Sequence, residues 1–167
     1  MRPFLVLAAA GFVATSLSVV AVAQPFEPPT RRSGYWDQTI TAQAGGRSRT
    51  MTSQFCTDPT VEKQNSVVGA GTGLTCAKRE FHRTPTGFSF TTICTVSGMA
   101  RESRGTVSGD FQSHYHMEVI STASRDPVGE RHTSIDSKWL GPCPAGRKPG
   151  DMVMPNGMVA NISATHH

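Results

Sequence analysis

The sequence predicts an all-β fold. The expected architecture is an antiparallel up-and-down meander of about seven strands, forming a curved sheet or partly closed barrel, with one short helix and two disulfides. Three observations carry this reading. Runs rich in Thr, Val, Ile and Phe are separated by Gly and Pro turns. Inside the runs, apolar and polar residues alternate with period two, which gives one dry and one wet sheet face. The four cysteines, Cys56, Cys76, Cys94 and Cys143, are an even set that reads as two bridges.

The elements follow in order. Residues 1–23 have the form of a secretory signal peptide. Met1-Arg2-Pro3 is a short positive start, Phe4 to Val20 is almost wholly apolar or small, and Ala21-Val22-Ala23 is an A-x-A site with cleavage expected after Ala23. Such a leader places the chain in an oxidising compartment, periplasmic or secreted, where paired cysteines persist. Residues 24–33 form a Pro-rich leader into the domain, with Pro25, Pro28 and Pro29.

The β domain spans 34–143. Its expected strands are Tyr35–Ala42, Arg49–Cys56, Leu74–Arg83, Gly87–Val96, Glu102–Ser108, Gln112–Thr122 and His132–Leu140. Alternation is plainest in the fourth, where Phe88, Phe90, Thr92, Cys94 and Val96 share a face. In the sixth, Tyr115, Met117 and Val119 oppose His114, His116 and Glu118. In the seventh, Ile135 and Trp139 oppose Asp136 and Lys138. Hairpin turns fall at Ala44-Gly45-Gly46, Thr84-Pro85-Thr86-Gly87, Ser97-Gly98 and Ser108-Gly109-Asp110. One connection is long. Asp58 followed by Pro59 looks like an N-cap with Pro at the first helical position, so a short helix is expected near 58–65. Gly69, Gly71 and Gly73 then form a flexible return. Residues 144–167 show no strong period and are expected to be a loosely ordered tail.

Strand direction constrains the bridges. Cys76 opens the third strand and Cys94 closes the fourth, so both lie at one end of a hairpin. Three reversals separate Cys94 from Cys143, which puts those two at opposite ends. The expected pairs are Cys76–Cys94 and Cys56–Cys143. They matter because residues 24–167 contain only 22 Leu, Ile, Val and Phe, a thin core for that length.

Several landmarks resemble one family. Gly34-Tyr35-Trp36-Asp37 is similar to its Gly-Leu-Trp-Glu start, and Gln54-Phe55-Cys56-Thr57-Asp58-Pro59 to its Gln-Cys-Leu-Thr-Pro-Glu segment. Cys76 and Cys94 fit its middle cysteines. Gly105-Thr106-Val107-Ser108-Gly109-Asp110 fits its Gly-containing strand and turn, and Lys138-Trp139-Leu140-Gly141-Pro142-Cys143 its ending. The chain resembles the domain-of-unknown-function family three-six-one-seven over residues 34–143. The resemblance implies a small exported β-rich protein at the periplasm or cell surface. It implies no activity and carries over no catalytic residue. The chain departs from the pattern between its first two strands, where Ala42 to Ser48 is short and Gly-rich and lacks a Met-Pro-Gly-Met-rich stretch.

Composition narrows the function. A charged fraction of 17% with a net charge of +4 is too sparse and balanced for a nucleic-acid tail. The few aromatic residues cannot furnish the girdles of a membrane barrel, and once the signal is removed no spanning segment is expected. There is no G-x-S-x-G, H-E-x-x-H or P-loop, so no catalytic motif and no cofactor are expected. The chain reads as a non-enzymatic binding or envelope-associated module for an apolar small molecule, a lipid or an envelope protein. Trp36, Phe88, Phe90, Tyr115, Met117 and Trp139, with Ile40 and Val119, would line its interior. The alternative is metal binding by His114, His116 and Glu118 on one strand face, with His132 approaching from the next strand. Met152, Met154 and Met158 with His166 and His167 form a softer donor set. Arg47, Arg49, Lys78, Arg79, Arg83, Arg101 and Arg104 are dispersed over the strands and could dock anionic lipid headgroups or polysaccharide.

Overall fold

A computed structural model describes residues 26–64, 75–96, 98–124 and 129–165. The expected signal peptide and its cleavage point lie outside the described residues. So do the Gly69–Gly73 return and His166 and His167.

The described residues form one antiparallel sheet. Its strands are β1 (Gly34–Ala44), β2 (Arg47–Thr57), β3 (Thr75–Thr84), β4 (Gly87–Val96), β5 (Met99–Gly109), β6 (His114–Ala123), β7 (Arg131–Gly141), β8 (Asp151–Val153) and β9 (Val159–Asn161). Helix α1 (Pro59–Gln64) follows β2. The spatial order is β3-β4-β5-β6-β7-β1-β2-β8-β9. The meander of β3 to β7 is thus extended by the β1–β2 hairpin, which joins through β1 to β7.

The sheet does not close, so of the two expected forms, a curved sheet or a partly closed barrel, it takes the open one. Closure would pair β2 with β3, but the outer edge of β2 is occupied by β8. β8 and β9 arise from the segment read as a loose tail. Each is three residues long, too short for alternation to register in the sequence.

Local chemistry explains the boundaries. Gly45 and Gly46 both have positive φ (55° and 72°), as a two-residue β1–β2 hairpin demands. Asp58 caps α1, its Oδ1 accepting from the Val61 amide at 2.8 Å. Before β6, Asp110 Oδ1 accepts from the amides of Gln112, Ser113 and His114 at 2.8, 2.7 and 3.1 Å. This turn withholds Gln112 and Ser113 from the ladder, so β6 begins two residues later than alternation suggests.

The disulfides are Cys56–Cys143 and Cys76–Cys94, the expected pairs. Cys76 and Cys94 are register partners at one end of the sheet, where β4 ends. Cys56 and Cys143 lie at the other, where β2 and β7 end. Loop-closure reasoning gives each about 3–5 kcal/mol. Such paired cysteines suit an oxidising compartment. Among the described residues no helix is long and apolar enough to cross a membrane.

Register defines two faces. The core face carries Trp36, Phe55, Phe88, Phe90, Val107, Tyr115 and Met117, all buried in one cluster with Phe111. Gly105 sits opposite Phe90 on this face. A Cβ there would run into the Glu118 carbonyl oxygen and lie 3.0 Å from the Phe90 ring, so the missing side chain is what lets β6 and that ring come this close. The other face carries the wet half of each alternation. Every Asp and Glu in β1 to β7 belongs to it: Asp37, Glu80, Glu102, Glu118 and Asp136.

Candidate functional site

Five of the six residues expected to line the interior come together, but as a filled core. Trp36 and Phe88 are fully buried, and Phe90, Tyr115 and Met117 nearly so. Their rings pack on one another and on Phe111. Phe88–Phe111, Phe111–Tyr115 and Trp36–Tyr115 centroids are 5.9, 5.8 and 5.7 Å apart. These are ordinary aromatic packing distances, and they leave no room between the rings for a ligand. Trp139 differs. It is half-buried at the margin of the cluster, with Arg32 stacked 3.8 Å above its ring.

The leader and α1 seal this end. Phe26 packs at 6.0 Å from Phe88. Arg31 passes under the sheet to Glu62 of α1, with Nη2 to Oε1 at 2.7 Å and Nε within 3.0 Å of both carboxylate oxygens. Both side chains are almost wholly buried, at 8% and 2% exposure. Thr57 donates to the same Glu62 at 2.5 Å, and Arg31 Nη1 donates to the Tyr115 hydroxyl at 3.1 Å. The guanidinium also lies 4.7 Å from the Phe55 ring centre. A buried ion pair needs such additional partners to offset its lost hydration. Sequence reasoning missed this network, because its members lie far apart in the chain and in different elements.

Along the same face, toward the other end of the strands, the chemistry changes. Beside the aromatic cluster, on the rung of Phe88, Val107 and Met117, lie the half-buried or exposed Ile135, Ile40 and Met51, with Val119 one rung further along beside Gly105 and Phe90. Beyond that, register aligns one residue from each of seven strands in a single row: Arg79, Thr92, Ser103, Ser121, Arg131, Ala44 and Arg47. Arg49 and Arg101 flank the row on the same face. Arg101 Nη1 donates across to Ser121 Oγ at 3.5 Å. The dispersed basic residues of the sequence therefore divide. Arg47, Arg49, Arg79, Arg83 and Arg101 share the core face, while Lys78 and Arg104 lie on the other and pair with Glu80 and Glu130.

The opposite face holds the histidines. His116 stands between two carboxylates, Nδ1 at 2.7 Å from Asp136 and Nε2 at 2.9 Å from Glu118. The hydrogen bond from Asp136, outweighing some desolvation, raises its pKa, and the Asp136 and Glu118 charges act in the same direction. His114 belongs to a separate group, its Nδ1 3.2 Å from the Ser113 hydroxyl. That hydroxyl donates to Asp110 at 2.6 Å and, with the turn amides, holds the Asp110 carboxyl well below its ordinary pKa. His132 pairs with Glu130 at 2.9 Å. The residues singled out as metal ligands thus lie on one face, as alternation requires, but their ring nitrogens already engage neighbours. Among the described residues, no three His, Cys, Asp or Glu side chains converge on a common point fit for a metal ion. Met152 packs against the core margin beside Phe55, its register partner.

A family model described as "Protein of unknown function (DUF3617)" matches residues 31–143. No curated protein shows similarity to the chain. The matched span runs from the buried Arg31 to the last cysteine, so it takes in the aromatic core, the arginine row and both bridges.

Proposed function

Since the chain belongs to the family of proteins of unknown function DUF3617, which brings no activity with it, we propose from its geometry that it is an exported, non-enzymatic module that binds a lipid. The aromatic interior is occupied by its own side chains and serves stability. Binding falls to the open half of the same face.

One observation carries this reading: the gradient along the core face. Across the sheet the packed Phe88 and Met117 give way on the same rung to the partly exposed strip of Ile135, Ile40 and Met51, and two rungs along the strands the face turns to hydroxyls and arginines. A surface that is apolar at one level and polar a few residues on matches an amphiphile lying along the strands, with its chain on the strip and its head beyond it.

Native mass spectrometry of tag-free protein purified from an oxidising compartment tests the reading. The expected result is a co-purifying species of lipid mass, lost after delipidation and regained on adding lipid. A protein that carries none and takes up none when offered short-chain lipids would sink it.

A further inference from the structure

We propose that the β8–β9 hairpin carries a thioether site for a soft monovalent cation, copper(I), with Met154 and Met158 as its main ligands and Met152 as the third. The site does not rest on the lipid-binding reading above.

The hairpin turn brings two of the sulfurs together. β8 and β9 pair as Asp151 with Asn161, Met152 with Ala160 and Val153 with Val159. Continued by one step, this register sets Met154 opposite Met158, and the Met154 amide donates to the Met158 carbonyl at 2.8 Å. Only Pro155, Asn156 and Gly157 lie between them. Gly157 takes a φ of 80°, and its amide donates to the Met154 carbonyl at 2.8 Å. Asn156 Oδ1 accepts from the Met158 amide at 3.1 Å. This three-residue loop holds the two methionines as cross-strand partners on one face, with Cβ atoms about 4.5–5.5 Å apart. Met152, two residues before Met154, shares that face. With metal–sulfur bonds of about 2.3 Å, sulfurs around one ion stand about 4 Å apart. Flexible thioether side chains on such a pair can meet that spacing.

Burial and donor chemistry point the same way. Methionine commonly fills irregular gaps in a core. Here Met158 is 63% exposed and Met154 only half-buried, so packing does not account for them. Thioether sulfur is a neutral, soft donor that favours copper(I) over magnesium or calcium. All four cysteines are locked in bridges, so thioethers are the soft sulfur ligands that remain. A thioether has no proton to lose, so its binding persists at pH values where a histidine site is protonated and fails.

The test is anaerobic titration of the tag-free mature chain with copper(I) against a chromophoric chelator. In parallel, silver(I) serves as a redox-inert stand-in, followed by the NMR signals of methyl-labelled methionines. One equivalent is expected to bind, with the Met154 and Met158 methyl signals shifting most. Met99, also exposed but at the start of β5, is expected to stay in place. Met154→Leu with Met158→Leu keeps size and apolarity. It is expected to weaken copper(I) at least about 100-fold, since even loss of a group that only braces a ligand costs about 10–100-fold. Met99→Leu is expected to leave the affinity unchanged. Affinity at about pH 5.5 is expected to match that at about pH 7.5, where a histidine site would differ. Unfolding midpoints check both variants, and the methyl signals come from the unmutated protein, so they decide the matter even where a variant fails to fold. Unchanged affinity in the double variant, shifts spread evenly over the methionines, equal shifts with zinc(II), a loss of about tenfold at the lower pH, or no binding of either ion would each overturn the site.

Discussion

At the Trp36 end of the core face, large rings bury one another and a leader, a helix and a buried Arg31–Glu62 pair close over them. At the Arg131 end, the same strands carry Thr, Ser, Ala and Arg, and the side chains are half-buried or exposed, Thr92 apart. Backbone pairing is continuous through both, so hydrogen bonding of the sheet cannot be the difference. What differs is whether the side chains reach across to a second layer. The comparison teaches that the packed side chains that hold the fold and the looser polar ones occupy separate lengths of one surface.

The strongest way to break that division is at its aromatic end. Phe88→Ala is expected to lose about 3–5 kcal/mol in urea unfolding, since a fully buried ring leaves a cavity among Phe26, Phe81 and Phe111. Next comes the seal. Arg31→Ala is expected to cost about 3 kcal/mol, because it strands the buried Glu62 carboxylate. Arg31→Met with Glu62→Leu should recover most of that loss in the same assay, as no lone charge remains. At the boundary between the halves, Gly105→Val should cost about 3 kcal/mol by driving a side chain into the Glu118 carbonyl oxygen of β6 and the Phe90 ring. In the arginine half, Arg49→Gln should leave the unfolding free energy within about 0.5 kcal/mol. A loss comparable to that of Phe88→Ala would show the two halves to be one structural unit.

The smallest effect belongs to the other face and is read by pH. The folded-state pKa of His116 is raised above its ordinary 6.5 by Asp136 and Glu118. Its stabilising contribution is therefore fully present below that value and is lost as pH rises through the raised one. The group is well exposed, so the change between pH 6 and 9 should be well under about 1 kcal/mol. His116→Gln should flatten it, as followed by urea midpoints across that range.

Much of this was legible in the sequence, and the parts that were share a property. The alternation around Phe88, Tyr115 and Trp139 is local, so it assigned faces correctly. The bridges followed from strand direction alone. The arginine row was not legible, because Arg79, Arg131 and Arg47 become neighbours only through a register running across seven strands. Arg131 was missed as a member, having no distinguishing neighbours in the chain. The Arg31–Glu62 pair joins a leader to a helix across 31 positions, with no periodic signal at either end. Phe111 was also overlooked. It is a buried aromatic in a turn, with φ at 58°, so no strand alternation marks it. The filled interior was the main surprise for function: period two reports which residues face inward but not whether space remains between them.

The disulfide connectivity has a consequence for how the molecule is made. Any polypeptide is delivered N-terminus first, so the thiol of Cys56 emerges and waits while Cys76 and Cys94 appear. Its true partner, 87 positions on, arrives last. The nearer pair is separated by only 18 positions and is aligned by a single hairpin. Correct maturation thus depends on a race: β3 and β4 must zip together and consume their own two sulfurs before Cys56 captures either of them. If Cys56 wins, the error is undone only by thiol–disulfide exchange, slow unless it is catalysed, and the N-terminal hairpin stays undocked until β7 has been delivered.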